Sequence, residues 1–260
     1  MNNNVKNNEK VILILTDGMH PDVIKHVEKA QMFYDEAAST LKGRAVMPAI
    51  TLPCHMSLFK GVEPELHECM DNDDPKPYNK IKGICDRLCS FERKSAMFYT
   101  WGELRDLTKS GVPAFDCCIS GWQLGYEKSM SMVTKAAKQY LTENFTDFAF
   151  VHYDLIDSYG HWHGWMSDKY IEATKLVWDE IYSLLEIADE NTSVIILSDH
   201  SGHDTDHGTE EDTVIPVMIK SKFFNGVKDL GDVSITDIAP TVVKMLGIEP
   251  YPYWTGSSLF

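Results

Sequence analysis

The chain has 260 residues, 43% of them hydrophobic, enough for a sizeable α/β core. A formal net charge of −15, with no Lys/Arg stripe, excludes binding to a nucleic-acid backbone, because counterion release needs a basic surface. The longest apolar run, Val11 to Leu15, is strand-sized, and the Asn-rich opening MNNNVKNNEK lacks the apolar stretch of a secretory signal; a cytoplasmic protein without membrane contact is expected, with residues 1–10 flexible.

Taken in chain order, VILIL at 11–15 reads as a strand and 21–36 as a helix. PAITLPCH leads into a helix near 54–60, and DNDDPKPYNKIK at 71–82 is polar enough for a surface loop. AMFY at 96–99 is a strand, 129–144 a helix, FAFV at 148–151 a strand and 168–188 a helix. VIILS at 194–198 and VIPVMI at 214–219 are strands, and the helix at 235–246 is closed by Gly247. This alternation predicts an α/β fold in one domain spanning 1–260: a mostly parallel sheet with helices on both faces. The six cysteines (54, 69, 85, 89, 117 and 118) form no CxxC pair, so reduced thiols are expected rather than a zinc ribbon or disulfide scaffold.

In such a sheet ligands collect at the carboxyl edge, so the residues just past each apolar run carry the chemistry. VILILTDGM places Asp17 two residues past a strand, where a lone Asp is equally a turn-former. VIILSDHSGH sets Asp199 beside His200, an oxygen and an imidazole nitrogen that suit zinc or a similar ion. In FVHYDLIDSYGHWHG, Asp157 and His161 stand four apart, on one face of a helical turn. His163 and Asp154 are their rivals, although Asp154 and His152 also read as satisfied polar residues at a strand end. GHDTDHGTEEDT offers His203 and His207 on a loop where surface residues are as common as ligands. Together these supply enough N/O ligands for two ions that clamp both oxygens of an in-line phosphoryl transfer. Thr51 precedes a short helix whose N-terminus favours an anion. An ordinary N-cap is the alternative; a metal beside the hydroxyl would make it a nucleophile.

TDGM, then ITLPCHMSLFKGVEPELHE, IDSYGH, SDHSGH with the later HGT, and EEDTVIPVMI follow in an order that resembles the nucleotide pyrophosphatase/phosphodiesterase branch of the alkaline phosphatase superfamily. TDIAPTVVKMLGI and GSSL resemble its C-terminal helix and tail. The resemblance implies an alkaline phosphatase-like fold and a two-metal phosphodiesterase. Asp17, Thr51, Asp199 and His200 would surround one ion, and Asp157, His161 and His207 the other; Zn2+ is expected first, with Mn2+ able to substitute. Thr51 would attack phosphorus and form a phospho-enzyme, the ions stabilising the attacking and leaving oxygens. Cys54 stands where many members carry an Asn that holds phosphate, and is assigned to the substrate pocket with Trp162 and Trp165. Trp101 to Leu104 and Trp122 join that pocket as further candidates. The expected partner is a small phosphorylated substrate. A phosphomonoesterase, a phosphonate hydrolase, a cofactor-independent phosphomutase and a catalytically silent metal-binding protein are the alternatives. The C/S-x-P-x-R sequence of sulfatases is absent.

Overall fold

The computed structural model describes residues 8–73 and 81–260. Residues 1–7 of the segment expected to be flexible, and 74–80 of the expected surface loop, lie outside the described residues.

The strands are β1 (Lys10–Thr16), β2 (Ala38–Arg44), β3 (Ser95–Tyr99), β4 (Phe115–Cys118), β5 (Phe148–Tyr153), β6 (Thr192–Leu197) and β7 (Val214–Lys220). Among the described residues they form one sheet in the order β2-β7-β6-β1-β5-β3-β4. The helices are α1 (Glu28–Glu36), α2 (Thr51–Lys60), α3 (Pro64–His67), α4 (Ile84–Cys89), α5 (Gly121–Leu124), α6 (Tyr126–Glu143), α7 (Leu155–His163), α8 (Asp168–Leu185) and α9 (Ile238–Met245).

The apolar runs are continuous because both faces of the sheet are covered. Val11, Leu13 and Leu15 of β1 join Phe148, Phe150, Ile195 and Leu197 in a core shared with α2, α4 and α9. Ile12 and Ile14 point the other way, with Ala149, Val151 and Ile196, toward α1, α6 and α8. β1 pairs in parallel with β6 on one side and β5 on the other, so the three strands that precede the candidate ligands are neighbours at the centre of the sheet.

Two differences from the sequence reading bear on the position of the site. The helix expected over 21–36 is a 3-10 turn (Pro21–His26) followed by α1, separated by Val27 in an extended conformation. β7 runs antiparallel to β6, because the connection from Leu197 to Val214 returns along the same sheet edge without a crossover helix. That reversal keeps the whole 198–213 segment at the carboxyl ends of β1 and β6.

Candidate metal centre

β1 ends and delivers Asp17; β6 ends and delivers Asp199 and His200; β5 ends and α7 carries Asp157 and His161. The segment after β6 brings in His207, whose Nδ1 donates to the Ala49 carbonyl at 2.9 Å, just ahead of α2. Two clusters result. Ligand atoms of Asp17, Asp199 and His200 lie within 4.8 Å of one another, and so do those of Asp157, His161 and His207. His200 and His207 stack with ring centroids 3.9 Å apart, so the clusters touch.

The first cluster is buried. His200 Nε2 lies 3.3 Å from Asp17 Oδ1 and 3.4 Å from Asp199 Oδ2. It is also 3.2 Å from Thr51 Oγ1. Thr51 is the first residue of α2, and the N-cap position belongs to Ile50, which makes no side-chain cap. The Thr51 hydroxyl therefore does not cap the helix; it faces His200. The second cluster is more open, with His161 Nε2 3.5 Å from Asp157 Oδ2 and His207 Nε2 3.9 Å from Asp157 Oδ1. Gly18 separates the two. At its φ of +67° a Cβ would meet Asp157 Oδ1 at 2.9 Å, so only glycine allows this approach.

The donor set suits divalent cations. Asp17 Oδ1, Asp157 Oδ1 and Asp199 Oδ2 are buried and accept no hydrogen bond. The Nδ1 atoms of His161, His200 and His207 bond to the carbonyls of Thr205, Ser201 and Ala49 at 2.9, 2.8 and 2.9 Å. A carbonyl only accepts, so each Nδ1 carries the proton and each Nε2 is turned to its cluster. Burial and the charge of Asp17 push the Asp157 carboxyl well up. Burial opposes a charge on His200, but Asp199 and Asp17 overcome it and raise the imidazole to about 10. Protons thus balance the crowded carboxylates, and a divalent cation would displace them. Burial and the His200 charge bring His207 down to about 4, leaving it neutral as a ligand must be.

The remaining candidates fall elsewhere. Cys54 is fully buried, its thiol directed to the carbonyls of Val46 and Pro48 at 3.9 and 3.8 Å, a core position rather than a pocket wall. Trp165 is also buried. Its Nε1 donates to the Gly18 carbonyl at 2.9 Å, and its ring meets His161 edge-on at 5.1 Å, which makes it a support for the second cluster. Trp162 is 56% exposed and packs against Tyr126 and Tyr159. Trp122 is fully at the surface, and Trp101 packs against the α2-side core. His163 leans on Tyr159, and His203 binds Asp212 Oδ1 at 2.9 Å; neither joins a cluster.

Three residues not assigned to the site from the sequence complete it. His152 Nε2 lies 3.0 Å from Asp17 Oδ2, holding one oxygen so that the other faces His200. His55 Nδ1 donates to the Thr51 carbonyl at 2.7 Å and lies 3.4 Å from Asp199 Oδ2. Asn72 accepts the Leu52 amide on Oδ1 at 2.9 Å, which brings its amide group to the N-terminus of α2 beside Thr51. The HxD alternation in HYD hints at His152 alone. Asn72, twenty-one residues along the chain from Thr51, gives no local signal.

No curated protein matches the chain. The model of the metalloenzyme superfamily matches residues 114–250, and that of the type I phosphodiesterase / nucleotide pyrophosphatase family matches residues 11–83. Among solved structures, murine ectonucleotide pyrophosphatase/phosphodiesterase 5 is similar at a TM-score of 0.80, with 12% identity over 96% of this chain and 98% of that one. Its inactive threonine-to-alanine form in complex with AMP aligns at 0.79, with 12% identity over 96% and 97%. A 2-O GAG sulfatase aligns at 0.73, with 13% identity over 96% and 73%. These structures share the alkaline phosphatase-like fold. The chain belongs to the metalloenzyme superfamily, which implies divalent metal ions, and its N-terminal part matches the type I phosphodiesterase / nucleotide pyrophosphatase family.

Proposed function

We propose that the protein is a two-ion phosphodiesterase in which Thr51 is the nucleophile. The observation that carries this reading is the Thr51 hydroxyl, 3.2 Å from His200 Nε2, at the start of a helix and beside two N/O clusters that touch. Asp17, Asp199, His200 and Thr51 would hold one ion and Asp157, His161 and His207 the other; zinc fits this N/O set, and manganese can substitute. Bound there, the ions would supply positive charge for the attacking and leaving oxygens.

The chain's own residues do the rest. Thr51 Oγ1 loses its proton and attacks phosphorus; the bond to one alcohol breaks, that alcohol takes up a proton as it leaves, and Thr51 is left carrying the phosphate with its remaining ester group. The positive end of the α2 dipole faces the phosphate. Asn72, its Oδ1 occupied by Leu52, presents its NH2 as donor to a non-bridging oxygen, the role first assigned to Cys54. His152 and His55 keep Asp17 and Asp199 oriented. Water then hydrolyses this phosphothreonine ester and regenerates Thr51. The inactivity of the murine protein's threonine variant, and its complex with AMP, support the same assignment here. A single hydrolase domain over 1–260, a small phosphorylated substrate and a cytosolic location, which suits six free cysteines, complete the reading.

The test is an activity screen of zinc- and manganese-loaded protein on bis-nitrophenyl phosphate, nitrophenyl phosphate, a phosphonate ester and nitrophenyl sulfate. Preference for the diester is expected. Preference for the sulfate or the monoester would overturn the reading.

A further inference from the structure

The N-cap of α2, Ile50, offers no side-chain acceptor, and the Leu52 amide at the helix start takes Asn72 Oδ1 instead. Asn72 thus caps the helix from further along the chain. Covalent reach does not hold it there. From His67 to Asn72 the chain takes five steps, which span up to about 17 Å when extended, while Ser57 and Leu52 stand only about 7.5 Å apart along α2. The segment has slack, so side-chain contacts must fix it.

His67, the last residue of α3, makes the first of those contacts. It is fully buried; its Nδ1 accepts the Cys69 amide at 3.2 Å, and its Nε2 lies 2.9 Å from Ser57 Oγ on α2. Burial brings the imidazole down to about 4, so the ring is neutral. With Nδ1 accepting, the one N–H is at Nε2 and donates to Ser57. Cys69 Sγ in turn donates to the Asp71 carbonyl at 3.5 Å, and Asp71 Oδ1 accepts the Asp73 amide at 2.9 Å. All ten residues of α2 are buried, which makes the helix a fixed reference. The contacts run from its middle through His67 to the residues on either side of Asn72.

We propose that His67 is a positioning residue for the reaction: by tying Ser57 to the Cys69 turn it sets the Asn72 amide group at the start of α2, and it acts on turnover through Asn72. This rests on the phosphodiesterase reading above, in which that group donates to a non-bridging oxygen. Such a donor is effective only if its place is fixed before charge develops on the phosphate. A displaced donor therefore costs stabilisation of the transition state, and the loss appears in kcat rather than in KM.

The test is a cycle of His67→Asn and Asn72→Ala on zinc-loaded protein, with the nitrophenyl ester that it cleaves fastest. The shorter side chain of His67→Asn keeps an acceptor for the Cys69 amide but does not reach Ser57. This change should lower kcat about tenfold, with KM within about twofold and metal content unchanged. In the Asn72→Ala background it should alter kcat by less than about twofold, because the donor it positions is gone. Ser57→Ala should reproduce both results, and replaces His67→Asn if that variant does not fold. An equal fall in both backgrounds, or an unchanged kcat with only a lower melting temperature, would overturn the proposal. Preference among the esters judges the diesterase reading, whereas the cycle judges His67. If no ester is cleaved, that reading fails by itself and inorganic phosphate becomes the probe. His67→Asn should then weaken phosphate binding about tenfold only where Asn72 is present, and unchanged binding would overturn the proposal.

Discussion

Asp17, Asp199 and His200 are sealed beneath the strand ends, whereas Asp157, His161 and His207 sit at a partly open rim, His161 with 37% of its side chain exposed. The inner cluster is held by side chains that are themselves buried: His152 on Asp17, His55 beside Asp199, and the Gly18 amide on Asp199 Oδ1 at 3.2 Å. The outer histidines hang on backbone carbonyls, as His200 of the inner cluster does on Ser201, but have only Trp165 as a wall beside them. Depth therefore separates two tasks. On the proposed mechanism the inner residues, beside the Thr51 hydroxyl, would be fixed where the attacking oxygen starts, while the outer ones would hold an ion nearer to solvent.

The division between the clusters is probed most strongly by Asp199→Asn against His161→Ala. Removing the inner carboxylate should abolish inner-ion binding and reduce turnover by about a thousandfold or more, while the outer change should weaken one ion and leave measurable activity at high metal. Elemental analysis with rate measurements decides it; equal losses would contradict the division. Next in size is His152→Ala, which frees Asp17 to rotate and should weaken metal affinity about ten- to a hundredfold. A titration showing unchanged affinity would return His152 to the role of core filler. Brief chelation should remove the more exposed outer ion first, giving a species with one ion per chain; simultaneous loss of both would mean the clusters act as one. The smallest effect belongs to Trp165→Phe, which deletes the bond to Gly18, costs about 1 kcal/mol and shifts only the outer affinity.

Much of this centre was legible because Asp17, Asp199 and His200 follow closely on apolar strands, and parallel strands bring such positions to one edge. Asp157 and His161 also needed their four-residue helical spacing, and Asp17 alone read equally as a turn-former. The residues that sequence reading misplaced depend on tertiary contacts. Cys54 follows Pro53 within α2, and helical rotation turns its thiol into the core. Asn72 reaches Leu52 only after the chain has passed through α3. Trp165 has the composition of a pocket wall, yet Gly160 and Gly202 leave room for its ring to sink beneath the histidines, where a Cβ at either would stand 2.7 or 2.3 Å from it. Among the strands, β2 and β4 were missed because they are the two edges of the sheet, with polar residues alternating along them rather than apolar runs.

The proposed mechanism turns on attack by the Thr51 hydroxyl on phosphorus. Thr51→Val keeps the shape and removes the oxygen, so fold and most of the bound metal should survive. Rate, melting temperature and metal content measured on that one variant test the claim directly. The expected result is a rate lower by about a thousandfold or more at nearly unchanged melting temperature, with Thr51→Ser retaining some turnover. A valine variant that is destabilised by about 1 kcal/mol yet fully active per folded molecule would contradict it.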